Sequence, residues 1–318
     1  MAAVRTAGIV SNWFSIKKGV RQGCVMSPCL FNILAEMVMR RVLEDWKSGF
    51  KIGGVTISNL RYADDIVLIA ESAEELQELV DRLVREGTNY NLLLNASKTK
   101  VMTNTAQRMD IKVNGTALEQ VNVFQYLGAN IAPDGECRSD IKKRLAIATD
   151  VLSKLKPVLK NRGITKKSKW RLVKALVWPV ATYGCESWTL RKADEMKLNA
   201  FDNNCARRVL RVPWTAKETN VAVWERLQEK PELLQSVKAR KLGYFGHIMR
   251  QESLSIENAV ITGLVPGNRS RGRPAMAWID NIMEWTGMGG HSLCRQGRFV
   301  TNGEIYLLLP EESHHRSR

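Results

Sequence analysis

Asn59-Leu60-Arg61-Tyr62-Ala63-Asp64-Asp65-Ile66-Val67-Leu68-Ile69-Ala70 is the stretch that decides how the rest of the chain is read. Two adjacent carboxylates, Asp64 and Asp65, stand between apolar residues, with Leu60 before them and Ile66 to Ile69 after. The β-branched flank predicts strand, tight turn, strand, with the acids at the turn. Neighbouring carboxylates repel, so the pair is costly unless hydrogen bonds or a cation offset it. A divalent metal is one such compensation, since Mg²⁺ is held by one or two carboxylates together with substrate phosphates. A plain polar turn is the other reading of an Asp-Asp pair.

Outward from this stretch the pattern alternates between helix and strand. Ser27 and Pro28 read as an N-cap and first helical residue, followed by Leu30, Phe31, Leu34, Met37, Val38 and Val42 at helical spacing to about Trp46. Lys51 to Ile57 reads as one strand leading into the Asp-Asp hairpin. Ser72 and Glu75 form a capping box. The helix behind it buries Leu76, Leu79, Val80, Leu83 and Val84 and is expected to stop at Gly87. Short strands are predicted at Leu92–Leu94 and Thr99–Thr103, and Asn114-Gly115 predicts a two-residue hairpin turn. Beyond the turn signal Pro133-Asp134-Gly135 the chain becomes helical. Helices are expected near Asp140–Lys160, Lys166–Tyr183 with a kink at Pro179, Ala193–Leu210, Lys217–Leu227 and Leu233–Arg250. The fold class is α+β: a small antiparallel sheet with helices, then a mostly α-helical half.

The 318 residues carry 48 Lys/Arg against 32 Asp/Glu, a net charge of +16 that points to a polyanionic partner. The excess is local, for Arg138 to Lys174 holds 13 basic residues against Asp140 and Asp150 alone. That asymmetry favours a nucleic-acid backbone track over a merely solvated face. No apolar run approaches the ~20 residues of a membrane span, and the N-terminal residues lack the apolar core of a secretory signal. The six cysteines lack paired spacing, which suits free thiols and an intracellular protein. Structural zinc needs compact Cys and His pairs; His247, Cys185, Cys205, His291 and Cys294 do not supply them, so no zinc is expected. Trp188, Trp214 and Trp224 read as core rather than as platforms for bases. Arg271-Gly272-Arg273-Pro274 has the shape of an arginine hook for a narrow minor groove, or of a basic loop that binds backbone phosphates.

Tyr62-Ala63-Asp64-Asp65 resembles the catalytic turn of reverse transcriptases, and Gly19 to Asn32 resembles their nucleotide- and template-contacting segment. With Asn95 to Lys100 and Phe124-Gln125-Tyr126-Leu127-Gly128 following in order, the chain resembles non-LTR (LINE-type) retrotransposon reverse transcriptases over roughly residues 10 to 288. The resemblance implies a partial polymerase palm at 1–135, a basic helical thumb at 136–190 and a helical C-terminal region at 191–288; after about Gly289 the chain departs from the family pattern, and 289–318 reads as a disordered tail. It implies RNA-directed DNA polymerase chemistry with Mg²⁺ or Mn²⁺, an RNA template, a DNA primer or target, and deoxynucleotides.

Residue by residue, the resemblance makes Asp64 and Asp65 the metal ligands and puts Tyr62 beside the primer terminus. Gln22 and Gly23 would line the template and nucleotide pocket, and Lys98 would donate a proton to pyrophosphate. The family has glycine near position 90, where this chain has Tyr90. Phe124 to Gly128, with Tyr126 and Gly128 foremost, would grip the primer, or the two aromatics would be core. Lys142, Lys143, Arg144, Lys166 and Lys167, with Arg271 and Arg273, would contact nucleic acid. The family's third catalytic carboxylate precedes the Arg21-Gln22-Gly23 segment, and no Asp or Glu occurs before Glu36. Little or no catalysis is therefore expected of this chain alone; the competing expectation is a non-catalytic nucleic-acid binder.

Overall fold

The structure is a computed structural model that describes residues 1–15, 19, 23–105, 107–251, 255–261 and 276–289. It is an α+β protein that divides into two compact units. The first comprises Met1–Lys51, Thr56–Val101 and Arg108–Glu119, and the second comprises Ile52–Val55, Met102–Gln107 and the chain from Gln120 onward.

In the first unit β1 (Arg5–Thr6) and β2 (Ile9–Val10) form a short hairpin ahead of α1 (Ser27–Val42). Ser27 is not the cap expected of it: Met26 holds that position without a side-chain bond, and Pro28 lies in the first turn, where its missing N–H is of no consequence. The predicted single strand from Lys51 to Ile57 is instead a hairpin of β3 (Phe50–Ile52) and β4 (Val55–Ile57). Gly53 and Gly54, with φ of 56° and 86°, fold it back. β5 (Asn59–Tyr62) and β6 (Asp65–Leu68) make the Asp-Asp hairpin, and α2 (Ala73–Asn89) follows.

The capping box of α2 is partly as expected. The Ser72 hydroxyl accepts from the Glu75 N–H at 3.2 Å, while the Glu75 carboxylate accepts from the Glu71 N–H rather than from Ser72. Both Glu74 and Glu75 lie at the positive end of the helix dipole. Hydrogen bonding at this helix start holds the Glu74 carboxyl below the usual range.

Helix α2 does not stop at Gly87 but runs two residues further. Gly87 serves a close approach, since a Cβ there would lie 2.8 Å from the Leu92 carbonyl oxygen, which belongs to the returning chain. The left-handed residue of the reversal is Asn91 (φ 58°), so Tyr90 at the family's glycine position keeps a negative φ and packs on the core. Gly87→Ala is expected to destabilise this unit by about 1–3 kcal/mol despite alanine's better helix propensity. A urea midpoint equal to that of the parent chain would refute the steric argument.

Two small cores flank α2. Val38, Met39 and Val42 from α1 meet Leu79 and Leu83, while Val80 joins Val101, Ile111, Val113 and Leu118 on the other side. β7 (Lys100–Val101), β8 (Lys112–Val113), β9 (Thr116–Ala117) and β10 (Glu119–Gln120) complete the strand-rich part. Asn114 and Gly115, both at positive φ, make the predicted two-residue turn between β8 and β9. Leu92–Leu94 is not a strand: Leu92 and Leu94 pack inward and Leu93 points to solvent, but no ladder forms. The strand predicted over Thr99–Thr103 is confined to β7.

In the second unit the hairpin of β11 (Phe124–Tyr126) and β12 (Ala129–Ile131) leads into helices. These are α3 (Arg138–Lys154), α4 (Lys156–Lys160), α5 (Lys166–Leu176), α6 (Trp178–Ala181) and α7 (Lys192–Leu210). After them come α8 (Asn220–Leu227), α9 (Leu233–Arg250), α10 (Ile256–Ile261) and α11 (Trp278–Thr286). Two predicted long helices are each broken in two, at Leu155 ahead of Pro157 and at Val177 ahead of Pro179, because proline cannot donate the helical hydrogen bond. The helix expected from Lys217 begins at Asn220, for Lys217 is left-handed and Thr219 is the cap.

One continuous core fills this unit. Trp170 is fully buried and meets Trp178 and Trp224 edge-on, at centroid distances of 5.8 and 5.3 Å. Trp188 and Trp224 are core residues, as expected of them, whereas the Trp214 side chain lies outside the described ones. No helix among the described residues is long and apolar enough to cross a membrane.

Candidate functional site

Tyr62 pairs with Asp65 across the hairpin, so the turn itself consists of Ala63 and Asp64. Ala63 has φ of 51°, a region that a two-residue hairpin needs and that an alanine occupies under strain. Side chains alternate along a strand, and Ile66 and Leu68 pack on the core. Asp65 and its cross-strand partner Tyr62 therefore share the opposite face with the Leu60–Val67 pair. Both carboxylates and Tyr62 are exposed.

A salt bridge from Arg61 to Glu36 of α1 (2.7 Å) ties the hairpin to the helix, and Arg40 bonds the same carboxylate at 2.7 Å. Hydrogen bonds from Arg40, then Arg61, hold the Glu36 carboxyl below the ordinary range. Neither Asp64 nor Asp65 has an ion pair among the described residues. Nor does any group of three His, Cys, Asp or Glu able to hold a metal form there. The hairpin thus fits part of a Mg²⁺ shell, two carboxylates with the remaining positions left to water and phosphate oxygens. It does not by itself make a two-metal centre.

Lys98 is exposed in an Asx turn, where the Asn95 side-chain oxygen accepts from the Ser97 and Lys98 N–H groups at 3.1 and 3.2 Å. Gly23 has φ of 83° with open space where a Cβ would stand, so its backbone conformation is what calls for glycine. Gln22, Arg271 and Arg273 lie outside the described residues, as does the tail from 290 on. Tyr62, Asp64, Asp65, Lys98 and Gly23 belong to the first unit.

The second unit holds the other candidates. Tyr126 precedes a two-residue turn of Leu127 and Gly128, both at positive φ, and Gly128 has room for no side chain without crowding Arg144 and Tyr183. This hairpin is clamped to α3. The Arg144 guanidinium donates to the Gly128 carbonyl and stacks on the Tyr183 ring at 4.3 Å, while the Tyr183 hydroxyl donates to the Leu127 carbonyl at 3.0 Å. Lys143 donates to the Asn130 side chain at 2.9 Å, and buried Asp140 accepts from the Asn130 N–H at 2.9 Å and from the Trp188 indole at 3.0 Å.

Lys143 and Arg144 are thereby engaged within the protein. Lys142, Lys166 and Lys167 are exposed. The clamp of Asp140, Trp188 and Tyr183 is absent from the sequence reading, for residues about fifty positions apart leave no local signal.

Residues 4–131 match the reverse transcriptase (RNA-dependent DNA polymerase) family. The chain carries a reverse transcriptase domain. The chain is 29% identical over 243 residues to an uncharacterized transposon-derived protein of Caenorhabditis elegans, an alignment covering 73% of this chain and 86% of the relative. It is 41% identical over 83 residues to a Pol polyprotein from the type-1 retrotransposable element R2 of Nasonia vitripennis, covering 26% of this chain and 8% of the polyprotein. The RNA-directed DNA polymerase from mobile element jockey of Drosophila funebris is 24% identical over 231 residues, which cover 69% of this chain and 25% of that protein. The named relatives thus include proteins of retrotransposable and mobile elements, in line with the resemblance that the chain's motifs carry. The chain spans most of the nematode relative but a quarter or less of the other two.

Proposed function

We propose that this chain is the palm and thumb part of a retrotransposon RNA-directed DNA polymerase. The observation that carries the proposal is the pair of exposed carboxylates at the tip of a two-residue hairpin within a reverse transcriptase domain. Asp64 and Asp65 hold a divalent cation, Mg²⁺ or Mn²⁺, whose role when bound is to stabilise charge on the primer 3′-hydroxyl and the leaving pyrophosphate.

Tyr62, on the same face as Asp65, supports the primer terminus, and Gln22 and Gly23 line the nucleotide and template side. Lys98 is placed in an exposed turn from which its ammonium can protonate pyrophosphate. Tyr126 and Gly128 present the primer strand, positioned by Lys143 and Arg144, while Lys142, Lys166 and Lys167, with Arg271 and Arg273, contact phosphates. In this reading residues 1–135 are palm, 136–190 thumb, 191–288 a helical C-terminal region and 289–318 a tail.

A second reading, a nucleic-acid binder without polymerase activity, is favoured by the two-carboxylate hairpin that no third acidic ligand joins among the described residues. Primer extension on an RNA template with Mg²⁺ and deoxynucleotides separates the two. Extension that falls to background in the Asp64→Ala, Asp65→Ala double variant, with template–primer affinity kept, is the outcome expected of the polymerase. Binding that weakens steeply with salt, without extension, establishes the second reading. A chain that neither extends nor binds the duplex would sink both.

A further inference from the structure

The β5–β6 hairpin that carries Asp64 and Asp65 is a two-stranded sheet, with no third strand beside it among the described residues. A lone hairpin is marginally stable in water, so the position of its tip depends on what else holds it. At the base the Ile69 N–H donates to the Ser58 carbonyl at 2.8 Å. Along the core face Ile66 and Leu68 pack against the cluster built on α1 and α2. At the tip Tyr62, Ala63, Asp64 and Asp65 are all exposed, and Ala63 holds its positive φ.

Arg61 stands next to that tip. Its cross-strand partner is Ile66, so by the alternation of a strand it shares the face of Ile66 and not that of Tyr62 and Asp65. From there its guanidinium meets one Glu36 carboxylate oxygen at 2.7 Å, while Arg40 of the same helix holds the other oxygen at 2.7 Å. Among the described residues the Arg61–Glu36 pair is the one ion pair or side-chain hydrogen bond that links Leu60–Val67 to another element.

We propose that Glu36 is a positioning residue that, through Arg61, fixes the Asp64–Asp65 tip and so sets its affinity for a divalent cation. This rests on the metal reading given above and deepens it. A cation draws two neighbouring carboxylates into one geometry, and a tip already held there loses less freedom on binding. Glu36 also adds a negative charge to its surroundings, and charge alone favours a cation from a distance. The two effects part at Arg61. Removing that residue loosens the tip but leaves the surroundings more negative, so positioning gives weaker binding and charge gives tighter binding.

The test uses the full chain and Mn²⁺ alone, free Mn²⁺ being read by its electron paramagnetic resonance. The binding that counts is the part lost in the Asp64→Ala, Asp65→Ala double variant. Glu36→Gln, Arg61→Met, Arg61→Lys and Arg40→Met are compared at constant ionic strength, with amide exchange followed across Leu60–Val67. All three side chains reach solvent, so the variants fold and keep thermal midpoints close to that of the parent chain.

Glu36→Gln and Arg61→Met are each expected to weaken Mn²⁺ binding about three- to fivefold, the range that one exposed ion pair can supply. Both are expected to speed amide exchange near the tip. Arg61→Lys keeps an ion pair with Glu36 and the parent affinity. Arg40→Met leaves the hairpin tied and does not weaken binding. Parental or tighter binding in Arg61→Met would mean that Glu36 acts by its charge, and parental binding in Glu36→Gln would mean that the ion pair is idle. Either result would overturn the proposal and leave the metal reading standing. A parent chain that binds no Mn²⁺ through Asp64 and Asp65 would overturn the metal reading itself, and the proposal with it.

Discussion

Asp140→Ala is expected to destabilise the second unit by about 3–5 kcal/mol, the range found when one partner of a buried charged pair is removed. The carboxylate is 2% exposed. One oxygen accepts from the Asn130 N–H and lies 3.8 Å from the Arg144 guanidinium, and the other accepts from the Trp188 indole. Alanine leaves an arginine side chain that is 11% exposed without its counter-charge. It also strands two buried donors, each of which costs about 1–3 kcal/mol when unsatisfied.

Asp140→Asn keeps an acceptor and is expected to lose less. Adding Arg144→Met to Asp140→Ala should recover part of the loss, because the uncompensated cation goes with it. Urea midpoints of the parent chain, Asp140→Ala, Arg144→Met and the double variant form the cycle. Additive losses would show that the two side chains are uncoupled and that Asp140 acts through Trp188 alone. The effect reaches function through β11 and β12, because Asp140, Lys143, Arg144 and Tyr183 between them hold both turn carbonyls and the Asn130 backbone. A loosened clamp should raise amide exchange in Phe124–Ile131 before the rest of the unit opens.

The same clamp marks the limit of what the sequence discloses. Elements whose signals are local are legible: the Asn114-Gly115 turn, the hairpin around Asp64, and α9 with its predicted bounds. Signals with two meanings mislead. Gly87 reads as a helix stop but is required by the approach of the Leu92 carbonyl, and the alternation from Lys51 to Ile57 hides a reversal at Gly53 and Gly54.

The candidate site divides in the same way. The motif locates Asp64 and Asp65, and the charge run locates the basic helices. Lys142, Lys143 and Arg144 are consecutive, however, and composition cannot tell which of them turns inward. Helical rotation carries Lys143 and Arg144 to the hairpin and leaves Lys142 in solvent. Glu36, which ties Arg61 and so the Asp-Asp hairpin to α1, carries no motif at all.

Lys241 should make the stability of the second unit rise with pH above neutrality. The side chain is fully buried on α9, and its ammonium donates to the Trp188 carbonyl at 2.7 Å and to the Asn281 side-chain oxygen at 2.8 Å. It lies over the rings of Trp278 and Trp285 at 4.5 and 5.4 Å. No carboxylate pairs with it among the described residues. Burial pulls its pKa down to about 7, with Cys137 and Asp280 acting weakly the other way. The unfolded chain keeps this proton up to about pH 10.4, so from pH 7 upward it binds more protons than the folded chain. Stability therefore rises with pH in that window.

Burial raises the thiol pKa values of Cys137, Cys185 and Cys205, which acts in the opposite sense above about pH 8.5. The informative quantity is hence the difference between the parent chain and Lys241→Met. The indole faces favour the charged amine, so the gain is smaller than burial alone implies. At roughly 1.4 kcal/mol per pKa unit, Lys241→Met is expected to be about 1–3 kcal/mol more stable at pH 7, with the advantage shrinking steadily towards pH 10. Asn281 stays anchored through the Leu190 backbone, to which it bonds at 2.7 and 2.8 Å, whereas the Trp188 carbonyl loses the ammonium as donor, which trims the gain further. Urea denaturation at pH 7, 8.5 and 10 decides it. A stability difference that does not vary with pH would mean that Lys241 stays protonated when buried, held by the two carbonyl oxygens and the paired indoles.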